Sequence, residues 1–294
     1  MAASQTNFLL SDKPTYTISL KEIETNHAGV SELLKFYEWA RQYKYSSVQL
    51  NISPCNSMDA NLSALLLAIV HKLKAENKIY VFLILADGMN VFMRNGLIAH
   101  LSGKGNANPY TDNRESTIPC TVFDTTDDEG FCQYVRRDFF GHRGLLNVPS
   151  TTKINLTTHF EEIFVNVLQH AETTYPVFTC GQYFPEKNVL KFTLVDLGQG
   201  FLKKIAQKTK GEVNTDNQAI IWSTYDLNTT KDILTFGPGG TGLKELKKYC
   251  AENDGSLHIS SGQGYVNFLK GKTMEYRLPA PMPGSLVNLI FRKI

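Results

Sequence analysis

At 294 residues, with 30 basic and 28 acidic side chains, the chain carries a formal charge of +2 and no long Lys/Arg run, so nothing in it marks a nucleic-acid or anionic-membrane binder. The five cysteines (Cys55, Cys120, Cys132, Cys180 and Cys250) are scattered and form no C-x-x-C pair, which argues against a disulfide framework or a zinc site and fits a reducing compartment. No apolar run approaches the ~20 residues that span a bilayer and the N-terminus lacks a charged leader, so a cytoplasmic protein of one large or two ordinary domains is expected.

In chain order, "TYTISL" reads as strand, "GVSELLKFYEWARQY" as helix, "SSVQLNIS" as strand, "DANLSALLLAIVHKLKAEN" as helix, "KIYVFLIL" as strand and "MNVFMRNGLIAHL" as helix. Strict alternation predicts βαβ units and a small sheet covered by helices. The polar stretch "SGKGNANPYTDNREST" reads as an exposed loop, and "GFCQYVRRDFFGHRGLL" (130–146) as a helical segment packed between two domains, with nucleic-acid contact as the weaker alternative.

From about residue 150 the pattern changes. A long helix, "LTTHFEEIFVNVLQHAETT", leads to a hairpin, "VFTCGQYF" and "VLKFTLVDL", about the turn "PEKN". Helical and loop sequence runs to residue 253, and three strand-like runs follow: "GSLHISS", "TMEYRLP" and "SLVNLIFRK". The expected organisation is an α/β domain over 1–105, a loop and linker helix over 106–149, and a helical layer on a mixed, mainly antiparallel sheet over 150–294.

Three stretches of the second domain carry chemistry. On the long helix, Phe160, Phe164, Val167, Leu168 and Ala171 share one stripe, while Glu162, Asn166 and His170, spaced by four, climb another side. Such a column is ordinarily a solvated face. In "VLKFTLVDLGQG", Leu190, Phe192, Leu194 and Asp196 share parity, so a carboxylate ends the core-facing row, where it needs a donor from the protein or from a ligand. Gly198 and Gly200 then permit close approach to the backbone. The third stretch, "TFGPGGTGLKELKKY", packs Gly237, Gly239, Gly240 and Gly242 ahead of a helix, a form suited to phosphate. It is not a Walker A loop, since Leu243 stands where the lysine belongs, and although G-x-G-x-x-G is met literally, the strand and ribose acid of a dinucleotide fold are missing.

Taken in order, E-x-x-x-N-x-x-x-H on a helix, D-x-G-x-G after a strand and G-x-G-G-x-G-L before a helix resemble the N, G1 and G2 boxes of the GHKL ATPase superfamily, over roughly residues 150–294. The resemblance implies a two-layer α/β sandwich that binds ATP and Mg²⁺. It implies that Asn166 helps hold Mg²⁺ and that Glu162 orients or deprotonates the nucleophile. Asp196 would accept the adenine amino group, Gly200 would line the adenine pocket beside Gly198, and Ser285 would stand near Asp196. Gly237, Gly239, Gly240, Thr241 and Gly242 would close a lid on the phosphates, with Leu243 following. Thr229, Thr230 and Lys231 are further candidates for phosphate contact, in a polar loop whose ordinary state is solvated.

His170 followed by Ala171 looks most like the anti-sigma-factor serine kinases within that superfamily. The first domain is similar to STAS domains, which partner such kinases, but Asp59 is followed by Ala60 and Asn61 where the phosphorylatable serine belongs, and Ser57 and Ser63 are displaced. The resemblances together imply a cytoplasmic, ATP-dependent regulatory switch acting on a protein partner or a second copy, in which ATP binding and hydrolysis order the lid. A serine kinase acting on a partner and a nucleotide-dependent interaction module without turnover stand as alternatives. Neither membrane nor nucleic acid is an expected partner.

Overall fold

The computed structural model describes residues 15–55, 57–170, 173–225 and 242–292. The chain opens with β1 (Thr15–Ser19), α1 (His27–Ala40), β2 (Ser47–Asn51), α2 (Ser63–Lys72) and β3 (Tyr80–Ile84). The three strands form a parallel sheet in the order β1-β2-β3, as alternating βαβ sequence requires. Asn26 starts α1 by accepting the Gly29 N–H on its side-chain oxygen, a standard N-cap. The helix expected over 89–101 is in fact two short ones, α3 (Val91–Arg94) and α4 (Leu97–Leu101). Asn95 breaks it. Its buried side chain accepts the Leu97 N–H and donates to the Ala60 carbonyl and to Ser63 Oγ, while Gly96 takes a left-handed φ of +90°.

A five-stranded antiparallel sheet follows, in the order β4-β5-β6-β8-β7. Its strands are β4 (Thr117–Phe123), β5 (Val177–Phe184), β6 (Val189–Asp196), β7 (Ser256–Leu269) and β8 (Lys272–Arg292). Strand β4 comes from the stretch read as loop and linker. The three runs expected near the C-terminus are two long strands, because "TMEYRLP" and "SLVNLIFRK" are both parts of β8. Among the described residues of this part, the helices are α5 (Asp128–Tyr134), α6 (Ser150–His170), α7 (Leu202–Lys208), α8 (Asp216–Trp222) and α9 (Gly242–Glu252).

Both faces of the large sheet are buried. Leu190, Phe192, Leu194, Leu257, Ile259, Val287, Leu289 and Phe291 make a front core with Phe160 and Phe164 of α6 and Leu246 of α9. Phe131, Tyr134, Val135, Phe139 and Phe140 join the same core; segment 130–146 therefore packs on the front face and not between two domains. The alternate residues, including Phe178, Cys180, Val195 and Leu286, face back and share a core with Leu65, Leu66 and the other apolar residues of the first 101. Polar side chains complete that seam. Lys191 Nζ donates to Asp59 at 2.6 Å, Asn61 Nδ2 to Thr193 Oγ1 at 2.8 Å, and Thr193 Oγ1 to Asn288 Oδ1 at 2.6 Å. Among the described residues no helix is long and apolar enough to cross a membrane.

Candidate functional site

Helix α6 is anchored by Phe160, Ile163 and Phe164, all buried in the front core. This leaves Glu162 and Asn166, one turn apart, half-buried on another side of the helix. The backbone of His170 closes α6, and its side chain lies outside the described residues. Helix α9 begins directly against Glu162: a β-carbon on Gly242 would come within 3.3 Å of Glu162 Oε2 and within 2.9 Å of the His159 carbonyl oxygen. Only a residue without a side chain lets the two helices meet there without a shift. The partial positive end of α9 is thus set beside a carboxylate. Leu243, the next residue, is buried in the front core, where it holds α9 on the sheet.

Asp196 ends β6 and is 5% exposed. Gly198 N–H donates to its Oδ1 at 2.8 Å, and Ser285, its cross-strand partner on β8, contributes both hydroxyl and backbone hydrogen bonds. Burial dominates nonetheless, and the carboxyl pKa is pushed up to about 6 against the pull of those donors. Because α6 ends at His170 and β5, starting at Val177, runs antiparallel to β6 with Phe178 opposite Val195, the C-terminal end of α6 and Asp196 lie at the same end of the sheet.

The turn after Asp196 is built for close approach. Gly200 has φ +74°, and a β-carbon there would lie 2.4 Å from Ser261 Oγ. Gly284, with φ +131°, comes so close to the Asp196 carbonyl oxygen that no side chain fits. Ser261 and Gly284 were not singled out from the sequence. Ser261 was reachable, since Leu257, Ile259 and Ser261 share parity just as Leu190 and Asp196 do; Gly284 carries no signal until β6 and β8 are paired.

The structure therefore brings Asp196, Gly198, Gly200 and Ser285 into one polar corner, and Glu162 and Gly242 into another, with Asn166 on the helix that spans from the second toward the first. Thr229, Thr230, Lys231, Gly237, Gly239, Gly240 and Thr241 lie outside the described residues. Among the described residues no group of three or more His, Cys, Asp or Glu side chains is placed to hold a metal, so a Mg²⁺ ion here would depend on Asn166, on nucleotide phosphates and on water. The chain matches no model of a known protein family and no curated protein.

Proposed function

We propose that this protein binds Mg·ATP between α6 and the end of the large sheet and uses the nucleotide as a regulatory switch, in a GHKL-type arrangement. The observation that carries the reading is the seating of Gly242, first residue of α9, against Glu162 of α6. A bare helix N-terminus suits phosphate oxygens, and a carboxylate at the same point suits a base acting on the group that attacks them. At the adenine end, the Asp196 carboxylate is the acceptor an exocyclic amino group requires. Asn166, half-buried one turn beyond Glu162, would supply an oxygen to Mg²⁺ carried by the phosphates.

On this reading the first domain is a STAS-like unit docked permanently on the back of the sheet. Of the two serines displaced by three residues from the acceptor position of such domains, Ser63 is fully buried and accepts a hydrogen bond from Asn95, whereas Ser57 is exposed. Ser63 is therefore closed to phosphorylation in the docked arrangement, and a phosphorylated serine would be Ser57 or belong to another molecule. Incubation of the full chain with γ-labelled ATP and Mg²⁺ tests the proposal: release of free phosphate, lost in Glu162→Ala with binding retained, supports an ATPase. Label appearing on Ser63 would contradict the docked arrangement.

A further inference from the structure

The turn from Gly198 to Phe201 is held at both ends by side chains of one cross-strand row. Asp196, Ser285 and Ser261 are directly opposed on β6, β8 and β7, and their parity places all three on the front face, at the end of the apolar rows. Asp196 Oδ1 accepts the N–H of Gly198, at the start of the turn. Ser261 Oγ accepts the N–H of Phe201 at 3.0 Å, at its end, where α7 begins. Between them Gly200, in the left-handed region, rests directly on the Ser261 hydroxyl. Ser261 is 1% exposed, and the pairing of β7 with β8 shifts register immediately after it. The bulge thus fixes where the row stops and keeps the hydroxyl aimed at the turn.

We infer that Ser261 is a positioning residue for nucleotide recognition: it sets the distance between the Asp196 carboxylate and the Gly200 backbone, the two groups between which a purine ring would lie. The inference rests on the ATP-binding reading above. Ser261 acts through Phe201 and Gly200 and does not touch the base. With the hydroxyl gone, the part-buried Phe201 N–H loses its acceptor and the turn loses the surface it rests on. The carboxylate then faces a wall that is no longer fixed, and selection for the 6-amino group weakens.

The test is calorimetric titration of the full chain with Mg²⁺ and a non-hydrolysable ATP analogue, and with its inosine counterpart, in which a carbonyl replaces the 6-amino group. Wild type, Ser261→Ala and Ser261→Thr are compared, alongside their thermal midpoints. Ser261→Ala is expected to weaken the adenine analogue about tenfold, as one lost hydrogen bond would, and to shrink the preference over inosine. Ser261→Thr, which keeps the hydroxyl, should restore that preference. Unchanged affinity in Ser261→Ala, or equal loss for both analogues in step with a lowered midpoint, would overturn the inference. Failure of the wild type to bind either analogue would instead sink the ATP reading itself, before any variant is considered.

Discussion

Gly242 and Glu162 meet where α9 starts and α6 passes its midpoint, so closely that a β-carbon on Gly242 would stand 3.3 Å from the Glu162 carboxylate and 2.9 Å from the carbonyl oxygen of His159. Gly242→Ala forces α9 off α6, against a backbone atom that cannot swing aside. The expected result is loss of nucleotide affinity with a modest fall in stability, about 1–2 kcal/mol, as for other overpacked sites. Chemical denaturation and calorimetry on the same variant check it.

Glu162→Gln keeps the shape and removes the charge. It should leave nucleotide affinity near wild type and abolish phosphate release, because the base alone is lost. Asn166→Ala should instead weaken binding, and in a Mg²⁺-dependent way. Equal turnover in Glu162→Gln and wild type would exclude the base assignment.

Asp196 is a cost to the fold. Its pKa rises from 3.8 to about 6 in the folded protein, so the folded state holds a proton that the unfolded state releases between those values, and stability falls as pH rises through that window. Asp196→Asn should therefore raise stability at neutral pH, by about 3 kcal/mol from the size of the shift, while abolishing nucleotide binding. Thermal melts at pH 7 and pH 4 check the sign: the gain should vanish at the lower pH.

His258 works in the opposite sense. Burial, with a smaller contribution from Lys191, lowers its pKa to about 4, and the neutral ring is held by Ser256 Oγ at 3.0 Å and Tyr265 Oη at 2.8 Å. The unfolded chain takes up a proton below about pH 6.5 that the folded chain refuses. Stability that is present above that value is lost as pH falls toward 4. In wild type the two groups oppose each other; in Asp196→Asn the His258 loss is unmasked, so that variant should be more acid-sensitive although more stable at pH 7.

The seam between the first domain and the sheet joins a shared apolar core to a few polar pairs. Asn61→Ala removes the donor to the fully buried Thr193 hydroxyl, and Asp59→Ala leaves Lys191 without its carboxylate at 2.6 Å. Each should cost about 1–3 kcal/mol, and urea unfolding should remain one cooperative transition for both halves, since they share a core. Two separate transitions in wild type would contradict permanent docking.

Much of this was legible in the sequence. The period-2 reading of β6 placed Leu190, Phe192 and Leu194 in the front core and Asp196 at its buried end, as found. Proline hid the rest. Pro119 makes "TIPCTVF" a poor strand, yet it falls in the register shift between Ile118 and Thr121 on an edge strand, where a missing N–H is tolerated. Pro279 and Pro281 split β8 to the eye, but they lie between Arg277 and Met282, where its pairing with β7 is interrupted. The back face was illegible for a different reason: nothing in the sequence pairs Lys191 or Thr193, and only tertiary contact with Asp59 and Asn61 gives them partners.

The central claim is that Asp196, Asn166 and the start of α9 together bind Mg·ATP. Calorimetry of the full chain with a non-hydrolysable ATP analogue, in the presence and absence of Mg²⁺, tests it most directly. The account predicts Mg²⁺-dependent binding at one site per chain, lost in Asp196→Ala. No binding, or binding that survives Asp196→Ala unchanged, would contradict it.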